Sequence, residues 1–367
     1  MTELIEREGQ AYCDARSELT LIVGLTHNGE REVRAFRSAG AKYAPLPDAR
    51  TIYEIGSFSK VFTTSLLSVL VSSGVLSLDD TVASYFPELD LKPEIAEITV
   101  FDLATHTSGL SGDGVVLARL IAEDVATGDL AKFKYYEHYS KEHLDEELRV
   151  AELVRPRGSG WEYSRTGLSL LGHILEVASG EQYEPLLKKH ICDPLGLKDT
   201  TYTLSEEQES RLVRGYDENG QPSPVWYWDI MLPQGGLRST MDDMLTFAEA
   251  NLATDDSQLS SDLRRARETE FEWPAGSTPA PAPYGSKATF RQALGWWNLD
   301  LGDGPVTQHA GATISYQSFG AVHQGTRTGL VAMTSSATNL VDVMAFPVLG
   351  QDLINKAVTA VSNGSSD

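Results

Sequence analysis

The chain has 367 residues, of which 41% are hydrophobic and 22% are charged, so it can bury a large core in two or three structural lobes. Its formal net charge of -22 argues against nucleic acid as a partner and favours solubility. Two cysteines, Cys13 and Cys192, are too few for a disulfide framework or a metal site, and we interpret both as small buried apolar residues. The acidic N-terminus lacks a secretory signal's apolar core and no run is long enough to span a membrane, so we expect a cytoplasmic protein without membrane contact.

The chain begins with a predicted helix and a predicted hairpin. Residues 3–17 are typical of a helix. Two β-prone runs, 21–25 and 32–36, enclose the turn residues His27-Asn28-Gly29. Asn-Gly between such runs strongly indicates a tight hairpin.

The stretch 57–73 predicts one buried helix, because its apolar residues recur at helical spacing and Gly74 can end it. Ser57 and Lys60 are polar residues at its start and share one helix face. A serine hydroxyl becomes nucleophilic when a base takes its proton, and a lysine whose charge is disfavoured by burial can be that base. Ser-x-x-Lys alone is a short pattern that also occurs by chance, so at this point the pair is a hypothesis.

The middle of the chain is predicted to be mainly helical. His106 lies in a turn, and we interpret it as a buried hydrogen-bonding partner that shapes the loop rather than as a general base. Residues 111–150 are mixed in character, and their highly charged run from Lys132 to Glu147 is interpreted as a solvated face that is inserted over the site. Within them, His138 and His143 are spaced too far apart on a helix face for a metal pair.

Further helices are predicted at 166–179, ended by Gly180, and at 183–190. The run Ser239-Thr240-Met241-Asp242 predicts a capping box that opens a helix ending near Asn251.

The last quarter of the chain is predicted to be a long loop followed by strands and a helix. Residues 273–286 are rich in Pro, Ala, Gly and Ser, which predicts a surface loop at the rim of the site. Three strands and a closing helix are then predicted at 292–299, 318–323, 329–335 and 343–361.

The order of these elements predicts the fold class. Strands, a long helical middle, strands and a helix suit an α+β fold whose antiparallel sheet is completed by both chain ends. We expect a single catalytic domain with a sheet lobe at about 1–75 and 290–367 and a helical lobe at about 76–289.

Two other stretches carry groups that a Ser57 nucleophile would need. Tyr163 is a loop tyrosine that can shuttle a proton if a neighbouring cationic lysine lowers its pKa. The run His309-Ala310-Gly311-Ala312-Thr313 is interpreted as an edge strand along which a substrate lies. Gly311 lets a ligand approach the backbone, and the Ala312 N–H can point at an oxyanion.

Three motifs together resemble a known family. Ser57-Phe58-Ser59-Lys60, Tyr163-Ser164-Arg165 and His309-Ala310-Gly311 have the order and approximate spacing of the motifs of class C β-lactamase-like serine enzymes. This group includes β-lactamases, DD-peptidases, D-amino-acid peptidases and amidases, and carboxylesterases. Three flanking stretches also resemble the family, at 103–110, 192–200 and 235–244.

The resemblance implies a role for each motif residue. Ser57 is expected to be the nucleophile, with Lys60 and Tyr163 sharing the proton transfers. The Ser57 and Ala312 amides are expected to form the oxyanion hole. His309 stands where many relatives carry lysine and is expected to face the carboxylate or leaving group of the substrate. No metal and no organic cofactor are implied.

Two departures from the family pattern bear on the substrate. Arg165 replaces the usual Asn, is longer and charged, and has no acceptor, so we expect it to pair with an acidic group of an acyl donor. Ala310 removes the hydroxyl that meets a substrate carboxylate in relatives. Both changes disfavour β-lactam turnover.

The leading hypothesis is a serine hydrolase that cleaves a small ester, amide or peptide through an acyl-enzyme on Ser57. One alternative is a transacylase that passes the acyl group to an amine. Others are a β-lactamase or D-amino-acid peptidase, and a non-catalytic binding module of the same fold.

Overall fold

The computed structural model describes residues 1–16, 19–41, 44–128, 135–215, 225–276, 280–336 and 340–364. The strands are β1 (Leu19–His27), β2 (Glu30–Arg37), β3 (Ile52–Glu54), β4 (Arg238–Thr240), β5 (Thr289–Gln292), β6 (Trp297–Asp300), β7 (Pro305–Ala312), β8 (Tyr316–His323) and β9 (Thr328–Ser336). The helices are α1 (Thr2–Asp14), α2 (Ser59–Ser72), α3 (Val82–Tyr85), α4 (Pro93–Ala96), α5 (Val100–Ala104), α6 (Gly114–Ala126), α7 (Tyr135–His138), α8 (Lys141–Val150), α9 (Arg165–Ser179), α10 (Tyr183–Leu187), α11 (Asp193–Leu195), α12 (Glu206–Arg211), α13 (Leu232–Gly235), α14 (Met241–Leu252), α15 (Gln258–Glu268) and α16 (Leu340–Gly364).

The main sheet joins the two ends of the chain. Its strand order is β2-β1-β9-β8-β7-β6-β5, and every neighbouring pair is antiparallel. The predicted hairpin forms β1 and β2, with Asn28 at φ 52° and Gly29 at φ 85° in the left-handed region that such a turn requires. The predicted antiparallel sheet, completed from both ends and flanked by helices, is therefore confirmed.

Each face of the sheet is covered by helices. α1 and α16 contact one face, where a buried apolar cluster includes Ile5, Phe319 and Phe346. The second cluster includes α2 and the helical middle of the chain. α14 contacts β1, β8 and β9, so this helix belongs with the sheet although it lies within 76–289. The lobe boundaries stay a prediction.

The turn before α2 is pressed against the end of β7. Residues Gly56–Phe58 form a 3-10 turn, and α2 follows directly. A Cβ on Gly311 would lie 2.0 Å from the Ile55 carbonyl oxygen, so only glycine permits this approach of the two backbones. The contact fixes Ser57 beside β7.

Several sequence predictions were wrong in detail. Residues 292–299 are not one strand, because Gly295 turns the chain at φ 68° between β5 and β6. Thr240 rather than Ser239 caps α14, because its side chain accepts the Asp243 N–H. The helix predicted at 183–190 changes after Leu187 into a π turn, Lys188–Cys192.

The sequence predicts an edge strand at 309–313, but β7 is not at the edge of the sheet. It lies between β6 and β8, and β6 pairs with it only up to Gln308. From His309 to Ala312, β8 is the only neighbour among the described strands. This last part of β7 therefore provides a local edge in the middle of the sheet.

Cys13 and Cys192 are free, buried thiols, as their interpretation required. Burial raises the pKa of each to about 12. Within the described ranges, no helix is long and apolar enough to cross a membrane. No group of His, Cys, Asp and Glu in those ranges is arranged to hold a metal ion.

Candidate active site

Ser57 and Lys60 are in contact at the start of α2. Lys60 Nζ lies 3.0 Å from Ser57 Oγ, which is the contact that their spacing predicts. Lys60 also donates to the Gln234 backbone oxygen at 2.7 Å and to Gln234 Oε1 at 2.9 Å. Neither partner in α13 is charged, so the amine has hydrogen bonds without a counter-ion.

The charge of Lys60 is disfavoured by its surroundings. The side chain is fully buried, and this burial is the main reason that its pKa lies well below the usual lysine value. The Arg165 guanidinium lowers the pKa further, and the Asp113 carboxylate opposes both effects. An uncharged amine beside a hydroxyl is able to accept its proton.

Tyr163 is the third member of this cluster. Its side chain lies near Ser57, and Lys60 Nζ lies 4.9 Å from the centre of its ring. Burial raises the pKa of Tyr163 to about 12, against smaller lowering effects of Ser57 and Arg165. The predicted lowering of this pKa by a cationic lysine is therefore wrong, and the hydroxyl keeps its proton at neutral pH.

His106 holds the Tyr163 loop in place, as interpreted from sequence. Its Nδ1 accepts the Ser164 N–H at 3.1 Å, and its carbonyl oxygen accepts the Glu162 N–H at 2.8 Å. The imidazole also lies 4.6 Å from the Tyr163 ring, centre to centre. Burial holds the pKa of His106 well below its usual value, so the ring stays neutral.

Arg165 has a partner within the chain. Its Nε and Nη2 donate to the two carboxylate oxygens of Asp113, a bidentate ion pair. Asp113 thus provides a counter-ion for the guanidinium within the chain, and the pairing of Arg165 with an acidic acyl donor stays a prediction.

His309 is buried under an aromatic ring. Trp297 stacks on it with ring centres 4.1 Å apart, and its Nδ1 lies 2.7 Å from the Ala310 oxygen. Burial, with a contribution from Lys60, lowers the pKa of His309 to about 3. The neutral ring therefore carries its hydrogen on Nδ1, and Nε2 presents a lone pair rather than a positive charge.

The backbone around Gly311 and Ala312 faces the Ser57 turn. A Cβ on Gly56 would lie 2.7 Å from the Ala312 nitrogen, so the Ala312 amide lies directly beside this turn. Ala312 is exposed at the end of β7, where a ligand can reach it. The predicted oxyanion amides of Ser57 and Ala312 are thus brought together.

The two segments predicted to border the site are partly described. Tyr284, from 273–286, has its ring centre 5.7 Å from that of Trp297, the ring that covers His309. From 111–150, Asp113 contacts Arg165, and the Tyr136 side chain lies beside that of Gln234. Residues 129–134 and 277–279 lie outside the described residues.

Sequence reasoning missed Gln234, Asp113 and Trp297. Gln234 directly precedes the Gly235-Gly236 stretch that carried part of the resemblance, and that position was the available signal. Asp113 and Trp297 have no comparable motif beside them.

Comparison with known proteins identifies the family. The chain matches the family described as Beta-lactamase over residues 5–347. The chain belongs to the Beta-lactamase family. This confirms the resemblance that the three motifs indicated.

Curated proteins with several different names resemble the chain. A beta-lactamase of Providencia stuartii is 29% identical over 63% of this chain and 54% of its own length. The D-alanyl-D-alanine-carboxypeptidase/endopeptidase AmpH of Escherichia coli K12 is 31% identical over 63% and 58%, respectively. Esterase EstB of Burkholderia gladioli is 34% identical over 50% of this chain and 47% of its own length. The chain thus spans about half the length of these curated relatives.

Solved structures of the Beta-lactamase family share the fold along nearly the whole chain. A class C beta-lactamase mutant has a TM-score of 0.78 at 19% identity, covering 96% of both chains. The class C beta lactamase of Rhodobacter sphaeroides has a TM-score of 0.77 at 22% identity, covering 97% of this chain and 99% of its own. At these identities the likeness establishes the fold.

Proposed function

We propose that the protein is a serine hydrolase that cleaves a small ester or amide through an acyl-enzyme on Ser57. The observation that carries this proposal is the 3.0 Å contact between Ser57 Oγ and the buried Nζ of Lys60. Burial favours the uncharged amine, which is the form that takes a proton from a serine hydroxyl.

The reaction begins with attack of Ser57 Oγ on the acyl carbon. The hydroxyl proton passes to Lys60 Nζ as the new C–O bond forms, and the carbonyl π pair moves onto oxygen. The amides of Ser57 and Ala312 then stabilise the oxyanion. Tyr163, whose pKa of about 12 keeps it protonated, lies near Ser57 and donates toward the leaving group.

Hydrolysis of the acyl-enzyme repeats these steps with water. Water attacks the acyl carbon, and the Lys60 and Tyr163 pair accepts its proton through the same contacts. The bond between the acyl carbon and Ser57 Oγ breaks when the tetrahedral intermediate collapses, and the same pair returns a proton to Oγ, so the acid is released and the Ser57 hydroxyl is restored. The cluster therefore needs no group beyond those around Ser57.

The walls of the site favour an uncharged acyl donor. His309 is neutral and gives no positive charge, Ala310 has no hydroxyl, and Arg165 is bound by Asp113. A carboxylate needs hydrogen-bond donors or a cation, so this side of β7 suits an ester better than a carboxylate-bearing amide. The resemblance to an esterase supports the same choice.

Hydrolysis of a β-lactam or a D-alanyl peptide is the second candidate. It is supported by relatives named beta-lactamase and D-alanyl-D-alanine-carboxypeptidase/endopeptidase. Transfer to an amine, a binding role without catalysis and a cytoplasmic location stay predictions.

Steady-state turnover tests the proposal. We expect the wild-type protein to hydrolyse an uncharged aryl ester and to act more slowly on a β-lactam. Ser57→Ala should abolish ester turnover, whereas Ser72→Ala, an exposed serine at the end of α2, should leave it unchanged. Equal ester turnover by wild type and Ser57→Ala would refute the proposal.

A further inference from the structure

Gln234 contacts Lys60 through two different atoms. Its backbone oxygen and its side-chain Oε1 lie 2.7 Å and 2.9 Å from Lys60 Nζ. The other polar neighbour that Nζ contacts is Ser57 Oγ. Gln234 is only 1% exposed and Lys60 is fully buried, so bulk water does not compete for these contacts.

The hydrogens of the amine decide what these contacts do. Neither Gln234 oxygen carries a hydrogen, so each contact must use a hydrogen of Lys60. A neutral amine has two hydrogens and one lone pair in a tetrahedral arrangement. When both hydrogens point at Gln234, the lone pair is left for the remaining neighbour, the Ser57 hydroxyl.

The side-chain amide of Gln234 is itself held in place. The Tyr136 side chain lies beside this amide, and the contact lowers the Tyr136 pKa against the larger raising effect of burial. The Tyr136 ring stacks on Trp228 with centres 4.1 Å apart. Trp228 also packs against the glycines that follow Gln234, where a Cβ on Gly235 would lie 2.9 Å from the indole. Oε1 therefore faces Lys60 in a packed setting.

We propose that Gln234 is a positioning residue: it binds both hydrogens of the neutral Lys60 amine and directs the lone pair to the Ser57 hydroxyl. The inference rests on the proposed function, because it assigns a task within that site. In the acylation step the Ser57 O–H bond breaks, its oxygen bonds the acyl carbon, and the proton bonds the Lys60 lone pair. The new N–H of the ammonium then lies toward Ser57 Oγ, and the Lys60 and Tyr163 pair passes one proton to the leaving group.

The uncharged amide is essential to this task. A Glu side chain at the same position would also accept a hydrogen from Lys60, but its negative charge would stabilise the ammonium. The lone pair would then be lost to a third hydrogen at neutral pH. Gln234 thus orients the amine without charging it.

Gln234→Glu is the sharpest test. We expect the pH at which Lys60 loses its proton to rise by about 1–3 units, the range for an opposite charge in direct contact. The acid limb of the pH profile of kcat/KM for an aryl ester should move to higher pH by the same amount. Gln182→Glu makes the same change at an exposed residue whose side chain makes no capping hydrogen bond, and it should leave both measurements at their wild-type values.

Lys60 can be titrated without relying on activity. In protein labelled with ¹³Cε-lysine, the Lys60 signal is the one that disappears in Lys60→Met. An unchanged Lys60 titration in Gln234→Glu overturns the inference. A shifted titration in a protein that never hydrolyses the ester contradicts the proposed function instead.

Gln234→Leu keeps the test decisive if the glutamate variant does not fold. It retains the backbone oxygen and removes Oε1, so one amine hydrogen loses its acceptor. We expect kcat to fall about tenfold or more, a modest part of what proton transfer contributes, with little change in KM. Wild-type kcat in a folded Gln234→Leu protein overturns the inference.

Discussion

Gly56 and Ala312 are in direct backbone contact: a Cβ on Gly56 would lie 2.7 Å from the Ala312 nitrogen and 2.8 Å from its oxygen. Residue 56 also has a φ of 50°, which glycine adopts without strain. This contact holds the turn of Ser57 against the last residues of β7. The proposed oxyanion hole therefore depends on a glycine at position 56, because any side chain there would collide with Ala312.

Gly56→Ala should damage both stability and activity. The left-handed backbone costs a non-glycine residue about 1–2 kcal/mol, and the clash with Ala312 adds to that. Gly74→Ala is the matched control, because Gly74 has a φ of 72° and open space around it. We expect both variants to lower the free energy of unfolding and only Gly56→Ala to lower kcat/KM, by about 100-fold or more, comparable to the loss of an oxyanion donor. Similar kcat/KM in the two variants would contradict the contact.

Lys60→Met should change how stability depends on pH. The pKa of Lys60 is depressed in the folded protein, so between that value and the unfolded value near 10.4 the unfolded state binds more protons. Wild-type stability due to this residue therefore rises with pH through that window and levels off above it. Lys60→Met removes this term, so its stability relative to wild type should fall as the pH is raised from 7 to 10.

Urea unfolding at several pH values measures this difference. Lys198→Met, at an exposed lysine, should follow the wild-type curve throughout. A constant difference between Lys60→Met and wild type from pH 7 to pH 10 would show that Lys60 titrates normally in the folded protein.

Asp113→Asn should widen the choice of substrate. It removes the carboxylate that binds Arg165, so the guanidinium becomes available to an anionic acyl donor. A hydrogen bond to a charged group contributes about 1.5–3 kcal/mol, so kcat/KM for a carboxylate-bearing aryl ester should rise about tenfold relative to its uncharged counterpart. Asp90→Asn, at an exposed aspartate, is the control. An unchanged ratio of the two esters would mean that Arg165 does not face the acyl donor.

Local sequence predicted the features that depend on near neighbours. Asn28-Gly29 fixed the hairpin because the turn needs positive φ at both residues. Ser57 and Lys60 were paired correctly because helical geometry joins positions three apart. The order and spacing of the three motifs together indicated the family, which no single motif did.

The missed features depend on contacts between distant parts of the chain. Gln234 is 174 residues from Lys60, and Asp113 is 52 residues from Arg165. The pKa of Tyr163 is set chiefly by burial, which a loop sequence does not reveal. The single strand predicted at 292–299 is wrong because Gly295 turns the chain, and the apolar residues on both sides give no sign of this turn.

The most direct test of the account is a covalent adduct on Ser57. Wild-type protein mixed with an activated, uncharged aryl ester and quenched in acid within milliseconds to seconds should gain the mass of one acyl group. Peptide mapping should place that group on Ser57, and the release of aryl alcohol should show a matching burst. Ser57→Ala should show neither signal. Rapid ester hydrolysis by wild type with no adduct at any quench time, or with an adduct on another residue, would contradict the account.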